Sequence, residues 1–266
     1  MYPHHEESLK LALEYFQTKS RVADGLIAVV FGGSVAKGVE RPDSDLDFMV
    51  IVTDEKYEEL QAAGIATEAI MGVCTYPEGY LDVKYYPKSF IRAVAERGSE
   101  PARNAWLKSQ CLYTTDPEIP ELVHEVSRFQ KELVEDKMLS FYGQFELASG
   151  YFFPMGKNDP ILRVRAATDI VIFGLRMILE ENEILFPCIK SLRMMIEKAP
   201  KKPENILELA DRLLETLSDE DKNAFTSAVM SSLTWQPPEN WDLATSRYTE
   251  DQELWWLNPR PLVVEW

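Results

Sequence analysis

The sequence predicts an α+β protein: an N-terminal half of alternating strands and helices, then a wholly helical C-terminal half. Three observations carry this expectation. Up to residue 117 the apolar residues fall in short runs bounded by Gly, Pro, Asp and Ser, as strands do. Beyond it they recur with a period of about 3.6 residues over long stretches, as on helices with one buried face. Between the two lies Thr114-Thr115-Asp116-Pro117-Glu118-Ile119-Pro120, where the texture changes. The expected division is therefore 1–117 and 118–266, the second part ending in a Trp-rich tail.

The elements follow in order. Leu9, Leu11, Leu13 and Tyr15-Phe16, interleaved with Glu and Lys, predict a helix over 5–20. Asp24-Gly25 turns the chain into a strand, Leu26–Phe31, which ends on a double glycine. Pro42-Asp43-Ser44 precedes a second strand, Leu46–Val52. Asp54 is placed to cap a helix running through Leu60. Glu68–Thr75 and Tyr80–Tyr86 read as a hairpin joined by Pro77-Glu78-Gly79, and Pro87-Lys88-Ser89 opens another helix. Past the break, 121–149 reads as one long amphipathic helix. A second spans 159–182, with Leu162, Ala166, Ile170, Val171, Leu175, Ile178 and Leu179 on one face. Pro187, Pro200 and Pro203 separate shorter helices, and Ile206–Leu217 and Asp219–Leu233 follow. The tail from Trp235 holds five of the six tryptophans: Trp235, Trp241, Trp255, Trp256 and Trp266. Such a tail is expected to pack back onto the body, the alternatives being a lid that stacks on substrate or a dimer contact.

At 266 residues and 45% hydrophobic, the chain has room for one large domain or two medium ones. A net charge of -16 argues against a nucleic-acid partner and favours a cationic one. No apolar run reaches the length of a membrane span, and no basic-then-apolar leader opens the chain. Cys74, Cys111 and Cys188 are far apart and form no CxxC pair. They favour a reducing, cytoplasmic setting without structural zinc or disulfides. His4, His5 and His124 are scattered, with no nucleophilic Ser–His or Cys–His arrangement.

The chemistry concentrates in two short segments. Gly32-Gly33-Ser34 ends a strand in a turn whose backbone can approach a ligand closely, with N–H groups that favour an anion. It is not a P-loop, since Val39 and not Lys follows Gly38. Asp45-Leu46-Asp47 puts two carboxylates on one side of a strand, because residues two apart share a face. Like charges so close call for a cation, and hard divalent ions take carboxylate and phosphate oxygens. A third acid, Asp82, stands between Leu81 and Val83 in an apolar strand. If the two strands are neighbours, the three acids form one cluster able to hold two metal ions.

Gly32-Gly33-Ser34-Val35-Ala36-Lys37-Gly38, followed by Asp43-Ser44-Asp45-Leu46-Asp47, resembles the signature of the DNA polymerase β-like nucleotidyltransferase superfamily. There an apolar strand leads into Gly-Ser, a short helix and an acid-apolar-acid strand, and a third acid follows later. Lys37 stands where many members carry arginine. Leu112-Tyr113 with Asp116-Pro117 resembles the strand that closes the catalytic domain in small members. The resemblance covers about residues 25–117. The remainder is similar in type to the C-terminal bundles of aminoglycoside and lincosamide nucleotidyltransferases.

The resemblance implies a mixed sheet flanked by helices, with Gly32, Gly33, Ser34 and Lys37 toward the triphosphate. It implies that Asp45, Asp47 and Asp82 bind Mg²⁺, as two ions, and that Asp82 activates the attacking hydroxyl. Lys190, on the helical part, would reach the triphosphate as a lysine does in small members. Lys84 shares the face of Asp82 and can pair with the acids. Arg163, Arg165, Arg176 and Arg193 are expected on helix surfaces. The implied reaction moves a nucleoside monophosphate, AMP, from ATP or another NTP to a hydroxyl of a small molecule such as an aminoglycoside, releasing pyrophosphate. The alternatives are an antitoxin-like or protein-modifying nucleotidyltransferase, and a nucleotide-binding protein without catalysis. Neither nucleic acid nor membrane is expected as a partner, and the chain is expected to be a monomer or homodimer.

Overall fold

A computed structural model describes all 266 residues. The chain forms two compact units. Met1–Gly98 with Ala102–Arg128 make the first, and Ser99–Pro101 with Phe129–Trp266 make the second.

The first unit is built on a five-stranded mixed sheet. Its strands are β1 (Leu26–Phe31), β2 (Leu46–Val52), β3 (Thr67–Met71), β4 (Tyr80–Pro87) and β5 (Gln110–Thr114), in the order β3-β4-β2-β1-β5. Only β2 and β4 run parallel. Alternation sorts the side chains onto two faces. Val29, Phe31, Phe48, Val50, Val52, Leu81 and Val83 pack with Ala12 and Phe16 of helix α1 (Pro3–Thr18). Ala28, Val30, Met49 and Ile51 pack on the other face. There they meet Ile91 and Val94 of α4 (Lys88–Arg97), Val123 and Val126 of α6 (Ile119–Val126), and the buried Trp106. Between these lie the short α2 (Gly33–Lys37), α3 (Asp54–Ala62) and α5 (Glu100–Ala105).

Several boundaries differ from the sequence reading, each for a physical reason. Thr53, not Asp54, caps α3: its Oγ1 accepts from the Lys56 N–H. Strand β3 stops at Met71, not Thr75, because Gly72 turns the chain in the left-handed region (φ +79). The Thr75 N–H then donates to Ser8 Oγ instead of to a strand. The single helix expected over 121–149 is two helices, α6 and α7 (Val134–Leu147), with a tight turn at Lys131–Leu133 between them. Buried Arg103 donates to the carbonyls of Val126 and Arg128, and so satisfies the end of α6.

The second unit is helical. After α7 come a π-helical turn (Ala148–Phe152) and a one-turn α8 (Phe153–Met155). The long α9 (Pro160–Glu181) matches its expected span and starts at Asp159, whose Oδ1 accepts from the N–H groups of Ile161 and Leu162. Four helices complete the unit: α10 (Leu192–Lys198), α11 (Ile206–Thr216), α12 (Asp219–Ser232) and α13 (Trp241–Gln252). Phe141, Phe145, Ile170, Phe173, Ile178, Leu213 and Phe225 form its core. No helix is long and apolar enough to cross a membrane. The tail packs back through α13, whose Ala244 and Asp251 are buried, and through its last residues. Trp235 is half-buried and Trp266 buried, whereas Trp241, Trp255 and Trp256 are exposed.

Two of the four arginines expected at the surface are not there. Arg165 and Arg193 are exposed, in ion pairs with Asp169 and Asp211. Arg163 instead lies 3.3 Å over the Phe153 ring and donates to the Leu217 carbonyl. Arg176 is fully buried between the rings of Phe141 and Phe186. It donates to Glu100 Oε2 at 3.2 Å and to the carbonyls of Val264 and Trp266. Lys137, also fully buried, reaches Glu100 Oε1 at 2.6 Å and Glu180 Oε1 at 3.4 Å. Two cations thus surround two acids. Burial, followed by the neighbouring Glu100, pushes Glu180 well above the usual carboxylate range.

This arrangement sets a pH dependence. A carboxyl whose folded pKa is raised favours the fold fully below its unfolded pKa, near 4.5, and loses that contribution as pH climbs toward the folded value. Glu180→Gln keeps the donor and cannot ionise. The variant should match wild type near pH 4 and become progressively more stable relative to it toward pH 8, as read by urea denaturation across pH. Lys137→Met, which strips Glu100 of a cation, should cost about 3–5 kcal/mol in the same measurement.

Candidate active site

The parallel register of β2 on β4 places Asp47 opposite Asp82. Both belong to the sheet face that carries Met49 and Ile51, since Phe48 and Val83 point the other way. Asp45 stands immediately before β2, two residues from Asp47. The three half-buried carboxylates offer oxygens that all lie within 4.8 Å of one another. The structure thus assembles the cluster that the sequence made conditional on the two strands being neighbours.

The glycine turn is fitted to this cluster. The Gly32 N–H donates to the Asp47 carbonyl at 3.0 Å. Gly33 is left-handed (φ +70), and a Cβ there would stand 1.7 Å from Asp47 Oδ2. No side chain fits at that position, so the requirement for glycine comes from the acid as much as from the backbone. Gly33 opens α2, with Ser34 in its first turn, and Gly38 (φ +71) closes it. At the other end of α2, Lys37 Nζ donates to the carbonyl and to Oδ1 of Asn104, both at 3.0 Å. Lys190 belongs to the second unit, on the exposed turn Ile189–Ser191.

The electrostatics are those of an under-compensated acidic site. Burial raises the Asp47 pKa, the adjacent Asp45 charge raises it further, and Lys84 works in the opposite direction. Lys84 Nζ pairs with Asp82 Oδ2 at 3.2 Å. Burial opposes the Lys84 charge, but Asp82 and then Asp47 outweigh it and its pKa is raised. The phenol of Tyr80 is raised chiefly by a hydrogen bond to Asp45. Clustered carboxylate oxygens, a buried member with a raised pKa, and backbone pressed against that member suit a hard divalent cation.

Sequence reasoning missed two residues here. Tyr80 shares the face of Asp82 and Lys84 by simple alternation, and that signal was available. Asn104 lies 67 residues from Lys37 and carries no local signal.

Residues 9–97 match the family model of the nucleotidyltransferase domain. The glycine turn, Asp45, Asp47 and Asp82 all lie inside that span. Two solved structures are similar at low identity. One is a nucleotidyltransferase-like protein from Exiguobacterium sibiricum 255-15 (11% identity, 96% of this chain and 81% of that one, TM-score 0.45). The other is spectinomycin adenyltransferase AAD(9) from Enterococcus faecialis, solved with ATP and spectinomycin (16%, 92% and 99%, TM-score 0.30). Both TM-scores lie under 0.5, so neither likeness bears on substrate or mechanism. Among curated proteins, none matches the sequence significantly.

Asp47→Asn should raise Tm at pH 7, because it removes a carboxylate whose raised pKa destabilises the fold above that value. The gain should vanish as pH falls toward 4. Mg²⁺ should raise the Tm of wild type and leave that of Asp47→Asn unchanged. Gly33→Ala should lower Tm, since left-handed backbone alone costs an L residue about 1–2 kcal/mol and Asp47 must also move.

Proposed function

We propose that this chain transfers AMP from ATP to a hydroxyl of a small, amine-bearing molecule of the aminoglycoside type, releasing pyrophosphate. The observation that carries the reading is the cluster of Asp45, Asp47 and Asp82 pressed against the glycine turn, inside a nucleotidyltransferase domain.

Asp45, Asp47 and Asp82 would hold Mg²⁺, which when bound stabilises charge developing on the phosphate oxygens. The chain's own groups supply the rest. Backbone N–H groups of Gly33 and Ser34 would bind the β- and γ-phosphates and orient the α-phosphorus for in-line attack. Lys37, tethered by Asn104, places a positive charge at the end of α2. Asp82 would accept the proton of the attacking hydroxyl, with Lys84 fixing the direction of its carboxylate at 3.2 Å. Tyr80 would place its phenol beside Asp45. The preference for a cationic acceptor rests on the net charge of -16. Three free, half-buried thiols suit a reducing, cytoplasmic setting.

The test is pyrophosphate release from ATP and Mg²⁺ with a panel of aminoglycosides, lincosamides and candidate proteins. Turnover with an amine-bearing antibiotic is expected. Asp45→Asn and Asp47→Asn should each lower kcat by about 10³-fold or more while remaining folded. Turnover with a protein alone would replace the small-molecule acceptor. No turnover at all, together with a Tm unmoved by ATP and Mg²⁺, would overturn the enzyme reading.

A further inference from the structure

The helical unit contains a cleft that the nucleotide chemistry does not use. It has a volume of about 260 Å³ and is walled by α7, the π-helical turn, α9 and α13. All its lining residues belong to the second unit. Gln144 lines it and is only 3% exposed, and its Nε2 is buried with no hydrogen-bond partner. Its Oε1 is occupied, because Gln252 Nε2 donates to it at 2.7 Å. This bond occupies the Gln144 carbonyl oxygen and leaves its NH₂ group without an acceptor. A buried donor in that state is costly and rare in folded proteins.

The rest of the cleft specifies what could satisfy it. Phe152, at the end of the π-helical turn, and Tyr248 present two rings with centroids 5.7 Å apart and a 42° tilt. π-helical turns within helices are frequent at functional sites. Asp169 Oδ2 takes the Arg165 Nε–H at 2.6 Å, which leaves Oδ1 to a ligand. The two charges cancel, so the cleft calls for a neutral molecule. It offers aromatic surface, one donor in need of an acceptor, and one carboxylate oxygen ready to accept.

We propose that this cleft binds a small neutral heterocycle, of one or two fused rings, whose edge carries a carbonyl beside an N–H. The rings lie against Phe152 and Tyr248. The carbonyl accepts from Gln144 Nε2, and the N–H donates to Asp169. The volume suits that size of molecule and excludes a whole nucleoside triphosphate.

Two probes test this on the full chain by ligand-observed NMR and calorimetry. One is 4-quinazolinone, which has the amide-like edge; the other is quinazoline, which has the same rings without the carbonyl and N–H. The quinazolinone should bind with a Kd of about 1 mM or tighter, and quinazoline at least about tenfold more weakly. Gln144→Met, checked for an unchanged Tm, should reduce quinazolinone binding at least about tenfold. Leu162→Trp, at a half-buried position of the cleft wall, should abolish binding of both probes by filling the space. Equal binding of the two probes, full binding by folded Gln144→Met or Leu162→Trp, or no binding of quinazolinone at 5 mM (about five times the expected Kd ceiling) would each overturn the proposal.

Discussion

The parallel pairing of β2 with β4 is the constraint on which the candidate site depends. Asp47 and Asp82 come from segments separated by a helix and a hairpin strand, and only the register of that one pairing sets them opposite each other. A slip of one residue would turn Asp82 toward Phe16 and Phe48, into the apolar layer under α1. The register is in turn held by that layer, where Leu46, Phe48, Leu81 and Val83 are each buried to 1% exposure or less. The hydrophobic packing on one face thus determines the placement of charge on the other.

Much of this was legible in the sequence, and the reasons are local. β1 and β2 appear within the bounds that Gly25, Gly32 and Pro42-Asp43 mark. The span of α9 follows from the Asp159-Pro160 start. The three acids announced themselves by alternation and by the cost of a charge between Leu81 and Val83. What escaped was non-local. Periodicity alone carried 121–149 as one helix, because the group that ends α6 is Arg103, more than twenty residues earlier. Arg176 looked like a surface residue because its partner, Glu100, lies 76 residues away. The neighbourhood of β2 and β4 also required the fold, since no short-range pattern encodes which strands pair.

The two units handle buried charge differently. In the helical unit, Lys137 and Arg176 meet Glu100 and Glu180, so the buried cations have buried acids beside them. In the sheet unit, three acids face a single nearby lysine pair and burial drives Asp47 upward. The first arrangement is internally complete; the second is stable only in proportion to what it can recruit.

The distribution of indoles gives the molecule two separate optical reporters. Trp106 is the sheet unit's only tryptophan, and it is buried against the layer formed by α4 and α6. The other five belong to the helical unit, and three of them face solvent in the native state. Emission from the native protein is therefore a composite in which red, water-relaxed signal comes from the tail and blue signal from Trp106 and Trp266. Loss of the sheet unit alone would appear as a small blue-edge decrease on a largely unchanged red background. A single-wavelength melting curve would then report mainly on the helical unit.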